Sequence, residues 1–214
     1  MIFCLMLILP LICAVLIYFV PDRSIKFANL AFALMICAVL AYAISQIGYT
    51  PIYGFNKMLF LDSLGGIFLT IIMITGTLVT LYFPTYLSWR NLEPKRIKKM
   101  LVLAYITTFA MILSVVANDI AVMWAAIEAT TLSSVFMVVY NKQKKIVEAG
   151  YKYIMVCSLG LAFAMLATIL LYSGGGILFT DLLDKKIDPL LMKVVFILRS
   201  EERRVGKECR SRWS

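Results

Sequence analysis

The feature that most constrains the fold of this chain is the grouping of its apolar residues into runs of bilayer length. A transmembrane helix needs about 20 mainly apolar residues to cross the hydrocarbon core. Six such runs are complete, and a seventh is cut off by a charged segment. They lie at about residues 2–20, 27–47, 63–87, 100–117, 120–140 and 147–172, followed by the seventh at 189–198. The sequence therefore predicts an all-α, polytopic transmembrane protein with six complete helices and a truncated seventh, in a body of residues 1–198.

The composition agrees with a membrane protein and excludes ordinary soluble, disordered and collagenous proteins. Hydrophobic residues make up 62% of the chain and charged residues 15%, whereas soluble domains average about 45–50% and about 25%. The chain has no histidine, and its cysteines before residue 199 lie singly within apolar runs. These residues suggest no haem, zinc or iron–sulfur ligand set. We therefore expect no metal, no cofactor and no redox centre in this chain.

The last sixteen residues, 199–214, differ sharply from the body. Nine of them are charged, and the change in composition falls directly after Leu198, within the seventh apolar run. Their sequence, RSEERRVGKECRSRWS, resembles the in-frame translation of a sequencing-library adapter. The alternative is a genuine basic tail that lies on the membrane surface. We expect residues 199–214 to be an artefact of sequencing that contributes nothing to the fold.

The positions of lysine and arginine predict the orientation of the helices. Loops rich in these residues usually stay on the cytoplasmic side of the membrane. The loops after the first, third and fifth helices, counted with Lys152, carry eleven lysines and arginines, and the even-numbered loops carry three. We therefore expect a multi-pass protein of the cell (inner) membrane whose odd-numbered loops face the cytoplasm and whose N-terminus is outside.

One ionisable residue falls deep within a predicted span. Glu128 lies nine residues after Asp119, which is roughly 13–14 Å along a helix and close to the bilayer midplane. Charged side chains at this depth cost several kcal/mol and often mark proton or ion pathways. The alternative is a structural carboxylic acid, kept neutral or hydrogen-bonded to a neighbouring helix. Small and hydroxyl residues nearby permit close packing or offer hydrogen bonds to other helices: Ala121, Ala125, Ala129, Thr130, Thr131, Ser133 and Ser134.

Two further charged residues lie near the ends of predicted helices. Lys152 falls about 7–8 Å inside the start of the sixth helix, and we assign it with Glu128 to a proton-translocating site. Two alternative roles for Lys152 are snorkelling of its side chain to the membrane surface and a local ion pair with Glu148, four residues earlier. Asp62 precedes the third helix, where an N-cap is its expected role. The segment between the second and third helices is predicted to be a loop.

The residues around Glu128 resemble a family signature. The stretch Val122–Ser134, VMWAAIEATTLSS, is similar to the fifth-helix signature of the antiporter-like membrane subunits. These subunits are shared by respiratory complex I, membrane-bound hydrogenases and multisubunit cation/proton antiporters. The run WAAIEATTLSS most resembles component F of hydrogenase-4 and formate hydrogenlyase. Supporting matches are LDSLGG at Leu61–Gly66, EAGYKY at Glu148–Tyr153 and DPLLM at Asp188–Met192.

The resemblance implies proton translocation driven by the redox chemistry of partner subunits. In the family, the glutamate at the position of Glu128 pairs with a lysine of helix seven, in a Gly-aromatic-Gly-Thr-Lys motif. That motif would begin just after Leu198, where the adapter-like tail starts. The implied partners are other membrane subunits and, through them, hydrogenase or NADH-oxidising peripheral subunits. The chain would be a subunit of an oxidoreductase without catalysing the redox reaction itself.

Three functions are consistent with these residues. The first is the ion-translocating subunit of a hydrogenase-4, formate-hydrogenlyase or NADH–quinone-oxidoreductase type of complex. The second is a subunit of a multisubunit cation/proton antiporter that has no redox partner. The third is a structural membrane scaffold, against which Glu128 argues because a scaffold gains nothing from an intramembrane acid. The residues of the fifth helix favour the first function.

Overall fold

The computed structural model describes residues 2–47, 51–55, 57–89, 94–140, 144–172 and 193. Within these ranges the chain forms six long helices and one β-hairpin. The elements are α1 (Ile2–Phe19), α2 (Ile25–Ser45), β1 (Ile52–Gly54), β2 (Leu59–Leu61), α3 (Ser63–Trp89), α4 (Pro94–Val116), α5 (Ile120–Val139) and α6 (Lys144–Tyr172). All six described helices are long and apolar enough to cross a membrane. The prediction of an all-α, multi-pass membrane protein is confirmed.

Two helices begin three or more residues earlier than their apolar runs predicted. Helix α4 begins at Pro94 rather than at about residue 100, and α6 begins at Lys144 rather than at about residue 147. The additional residues are rich in lysine and arginine, whose long side chains can reach the membrane surface while the backbone continues as a helix. Proline is favoured in the first helical turn. The predicted seventh run at 189–198, apart from Lys193, lies outside the described residues, as does the tail at 199–214.

Residues 1–117 form one compact unit. Helix α1 packs against α2 and α4, and α3 packs against the same two helices. The largest fully buried side chains in this unit are Met6, Ile17, Leu40, Leu61, Leu69, Leu101, Tyr105, Ile112, Val116 and Asn29. Except for Asn29 and the Tyr105 hydroxyl these are apolar, so the core of this unit is largely apolar.

A polar junction in this core joins three helices. The Asn29 side-chain amide donates to the Thr80 carbonyl at 2.6 Å, and the Tyr105 hydroxyl donates to Asn29 Oδ1 at 2.8 Å. Asn29 and Tyr105 are each 1% exposed. Because an unpaired polar group buried in an apolar core is costly, these bonds favour one mutual arrangement of α2, α3 and α4.

The segment before α3 is a hairpin and not the predicted loop. Strands β1 and β2 pair antiparallel, and Leu59 also bridges to Ala117 at the end of α4. Leu59 and Leu61 are buried, which explains why this short segment is ordered against the helices. Beyond the hairpin, Asp62 accepts a hydrogen bond from Gly65 N at 2.7 Å. The prediction that Asp62 is an N-cap is confirmed.

An ion pair joins the turn after α1 to the first turns of α4, at the end of α4 that lies away from the hairpin. Lys98 Nζ lies 2.7 Å from Asp22 Oδ1, in the 3₁₀ turn Asp22–Ser24 that follows α1. The contact shows that the turn after α1 and the start of α4 lie at the same end of this unit. This arrangement agrees with the alternating path through the membrane on which the predicted topology rests.

The second compact unit begins at residue 118, and its described helices are α5 and α6. Asp119 is the N-cap of helix α5. Its Oδ1 atom accepts hydrogen bonds from Ala121 N at 2.8 Å and from Val122 N at 3.2 Å. The two helices pack against each other. At Gly150 there is no room for a side chain, since a Cβ would overlap Val139 Cγ2 and lie 3.4 Å from Val135 Cγ1. Gly150 therefore permits a close approach of the two backbones.

Candidate functional site

Glu128 lies near the middle of α5 and faces α6. Its Oε1 atom accepts a hydrogen bond from Ser158 Oγ at 2.8 Å. Its Oε2 atom is buried and has no hydrogen-bond partner among the described residues. A buried polar atom in this state costs roughly 1–3 kcal/mol. The two oxygens of one carboxyl group are therefore in unequal environments, one held by α6 and the other unsatisfied.

A second hydrogen bond joins α5 to α6 on the N-terminal side of Glu128. The Trp124 indole Nε1 donates to Thr168 Oγ1 at 3.1 Å, and Thr168 Oγ1 in turn donates to the Met165 carbonyl at 2.8 Å. Trp124 and Glu128 are four residues apart and so lie on one face of α5. This face carries two hydrogen-bonded contacts to α6, spaced by one helical turn.

The hydroxyl groups that follow Glu128 donate hydrogen bonds within α5. Each donates to a carbonyl of its own helix three or four residues earlier, at 2.7–2.8 Å: Thr130 to Ile127, Thr131 to Glu128, Ser133 to Ala129 and Ser134 to Thr131. Their hydroxyl protons are thus used within α5, and only their lone pairs can serve a neighbouring helix or water. The prediction that these groups offer hydrogen bonds to other helices therefore rests on their lone pairs.

The alanines of α5 differ in their exposure within the described residues. Ala121 and Ala125 are exposed, whereas Ala126 is 1% exposed. The close contact between α5 and α6 depends instead on Gly150. A row of small residues indicates that close packing is possible, but it does not identify which row a neighbour will use.

Lys152 lies in an exposed ion pair within its own helix. Its Nζ is 2.6 Å from Glu148 Oε1, and the two side chains are 68% and 66% exposed. This is the local pair that the spacing of the two residues had suggested. Lys152 precedes Ser158 by six residues, or roughly 9 Å along the helix axis. Within the described residues, the two predicted site residues make separate contacts, Lys152 with Glu148 and Glu128 with Ser158.

Sequence reasoning did not identify Ser158. A single serine within a long apolar helix is a weak signal, because serine is common in membrane helices and often bonds to its own backbone. Its position opposite Glu128 depends on how α5 and α6 are rotated and aligned. Metal ligands were not predicted, and within the described ranges no group of three or more His, Cys, Asp or Glu residues could hold a metal ion.

Comparison with known proteins shows what the segment that holds this site is similar to. The family model described as NADH:quinone oxidoreductase/Mrp antiporter, TM, matches residues 117–199, which include all of α5 and α6. A curated relative, the hydrogenase-4 component F homolog of Methylacidiphilum infernorum (isolate V4), is 29% identical over 115 residues. The match covers 52% of this chain and 24% of the relative. The chain thus spans about a quarter of the length of that protein.

Solved structures share the fold of this chain over almost its whole length. A chain of the archaeal membrane-bound sulfane sulfur reductase superimposes with a TM-score of 0.74 at 22% identity, over 92% of this chain and 42% of that one. A chain of respiratory complex I from Thermus thermophilus gives 0.70 at 17%, over 93% and 42%. A chain of the Mrp complex from Dietzia sp. DQ12-45-1b gives 0.74 at 21%, over 91% and 22%.

These matches agree with one another and with the residues of α5. The helices and their order are similar to those of the solved membrane chains, and the segment that holds Glu128 matches the family model. Over residues 117–199 the chain is therefore similar to the antiporter-like membrane subunits.

Proposed function

We propose that this chain is an ion-translocating membrane subunit in which Glu128 takes up and releases the transported proton. The observation that carries the proposal is the state of the Glu128 carboxyl group near the middle of α5. Ser158 holds one of its oxygens, and the other is buried without a partner among the described residues. The relatives support it, because they are subunits of hydrogenase, complex I-like and antiporter assemblies.

The arrangement suggests how the carboxyl group exchanges a proton. Ser158 can donate to Oε1 whether the carboxyl is protonated or ionised, so Oε2 is the atom at which the proton is added and removed. Ionisation at mid-membrane is costly unless a cation is near. A lysine amine about 6 Å away would stabilise the carboxylate by roughly 2.8 kcal/mol at an effective dielectric of about 20. Approach and withdrawal of such a cation would therefore drive release and uptake.

Lys152 is the second residue of the proposed pathway. Its exposed pair with Glu148 lies on the same helix as Ser158, at the end that we assign to the cytoplasm. We expect Lys152→Met to lower transport without preventing assembly, because it removes a cation that can exchange one carboxylate partner for another. Lys144→Met, at the exposed start of the same helix, is the control. Equal transport by the two variants would remove Lys152 from the pathway.

The proposed assembly is a redox-driven complex of the inner membrane. Other membrane subunits would lie beside this chain, and hydrogenase or NADH-oxidising peripheral subunits would supply the energy. The N-terminus is placed outside, on the basis of the eleven-to-three distribution of lysine and arginine. The match to a hydrogenase-4 component F homolog favours this function. The structural likeness to an Mrp complex supports the alternative, a cation/proton antiporter.

The experiment that tests the proposal changes Glu128 in the full-length subunit assembled in its complex. Glu128→Gln should preserve assembly but abolish or strongly reduce proton pumping, because the amide has the same volume but cannot exchange a proton. Glu128→Asp should retain part of the activity. The measurement is proton uptake by proteoliposomes during turnover with the electron donor of the complex.

A matched control makes the same change of carboxyl to amide elsewhere. Asp62→Asn should leave pumping unchanged, because asparagine caps a helix about as well as aspartate. Normal pumping by an assembled Glu128→Gln variant would refute the proposal. Transport that needs a sodium gradient and no electron donor would favour the antiporter alternative.

A further inference from the structure

We infer that Ser158 is a positioning residue for proton transfer, which holds Oε1 of Glu128 so that Oε2 alone exchanges the proton. This inference rests on the proposed function, since it concerns the same carboxyl group. It adds a second residue of α6 to the proposed site of Glu128 and Lys152. Ser158 itself neither gains nor loses the transported proton.

The hydrogen bond makes the two carboxyl oxygens unequal. The terminal torsion of a glutamate is roughly two-fold symmetric, so a free carboxyl group presents either oxygen in either direction. The 2.8 Å bond from Ser158 Oγ to Oε1 removes this symmetry. Oε2 is then directed away from Ser158, into a buried position that has no polar partner within the described residues.

The hydroxyl groups on α5 have other bonds. Thr130, Thr131, Ser133 and Ser134 donate within their own helix. Ser158, which is half-buried, is the donor to Glu128 among the described side chains. The contact therefore comes from the opposing helix, and it links the position of the carboxyl group to the packing of α5 against α6.

Correct placement of the exchanging oxygen controls the rate of transfer. Proton transfer requires the donor and acceptor atoms to lie within hydrogen-bond reach, and an error of about 1 Å can cost about a hundredfold in rate. If the Ser158 bond is lost, the proton resides on either oxygen and the productive orientation is populated only part of the time. We expect Ser158→Ala to lower the pumping rate about tenfold while assembly is preserved, since alanine is a good helix former.

The experiment compares Ser158→Ala with Thr168→Val in the full-length subunit within its complex. Each substitution removes one side-chain hydrogen bond between α5 and α6, but only the first touches Glu128. Thr168→Val should pump within about twofold of the unchanged protein. Ser158→Thr keeps a hydroxyl group at this position, and it should retain most of the pumping activity that Ser158→Ala loses.

A vibrational spectrum reports the contact directly. The carbonyl stretch of protonated Glu128 is identified as the band that disappears in Glu128→Gln. Loss of the hydrogen bond should move this band to higher wavenumber in Ser158→Ala and leave it in place in Thr168→Val and Ser158→Thr. A merely structural role for Ser158 would not produce this pattern.

The outcomes separate this inference from the proposed function. If Glu128→Gln stops pumping but Ser158→Ala behaves like Thr168→Val, or the band does not move, the role of Ser158 is refuted and that of Glu128 stands. If Glu128→Gln pumps normally, the proposed function is refuted and the inference falls with it. A shifted band together with slowed pumping that Ser158→Thr restores would establish the positioning role.

Discussion

The buried polar junction of the first unit offers a stability prediction whose size follows from its geometry. Tyr105→Phe removes the hydroxyl that donates to Asn29 Oδ1 at 2.8 Å. It keeps the ring, which makes an edge contact with Phe32 at a centroid distance of 6.5 Å. The substitution therefore deletes one hydrogen bond between α2 and α4 with little change in packing.

The expected loss of stability is moderate. Side-chain hydrogen bonds between membrane helices contribute about 0.6 kcal/mol on average and about 1.7 kcal/mol at most. Here Oδ1 is left behind in a side chain that is 1% exposed, and leaving a buried acceptor unsatisfied costs roughly 1–3 kcal/mol. We expect Tyr105→Phe to lower the free energy of unfolding by about 1–2 kcal/mol. Tyr42→Phe, at a tyrosine that is 55% exposed, should stay within about 0.5 kcal/mol.

A double-mutant cycle measures the bond itself. Unfolding of the full-length protein in mixed micelles by increasing denaturing detergent, followed by circular dichroism, gives the free energy for Tyr105→Phe, Asn29→Ala and the double variant. We expect the double variant to lose about 1 kcal/mol less than the sum of the two single losses. Additive losses, within about 0.3 kcal/mol, would refute the view that this bond holds α4 to α2.

Four further predictions concern other parts of the chain. Gly150→Val should destabilise the α5–α6 pair by about 1–3 kcal/mol, because its Cβ overlaps Val139, and a second change of Val139→Ala should restore part of the loss in the same unfolding assay. Asp119→Ala should cost about 1 kcal/mol through loss of the α5 cap, whereas Asp119→Asn should be nearly neutral in thermal unfolding. Cysteines introduced in segment 90–99 should react with impermeant reagents only from the cytoplasmic side, and labelling from outside would overturn the predicted orientation. Genomic DNA sequenced without library adapters should not encode residues 199–214 in this position, and finding them there would contradict the artefact interpretation.

The membrane architecture could be predicted from the sequence because crossing a bilayer is a one-dimensional requirement. A run of about 20 apolar residues meets it whatever its neighbours are, and all six complete runs are helices in the structure. The cap at Asp62 is equally local, since it depends on one side chain and the amide three residues later. The position of Glu128 near the middle of α5 likewise follows from counting along one helix.

The hairpin of residues 52–61 is not determined by its own sequence in the same way. Its two strands have three residues each, and an isolated hairpin is marginal in water. Leu59 and Leu61 are buried against the helices, so the segment becomes a hairpin only where α3 and α4 provide that surface.

The sequence by itself predicted the six described helices, the cap of α3 at Asp62 and a carboxyl group near the middle of α5. Only the tertiary structure decided that Ser158 bonds Glu128, that Lys152 pairs with Glu148 and that the α5 hydroxyls donate within their helix. The physical reason is that these contacts depend on the rotation and alignment of α5 against α6. The two helices approach closely at Gly150, and no local pattern along either helix specifies that contact.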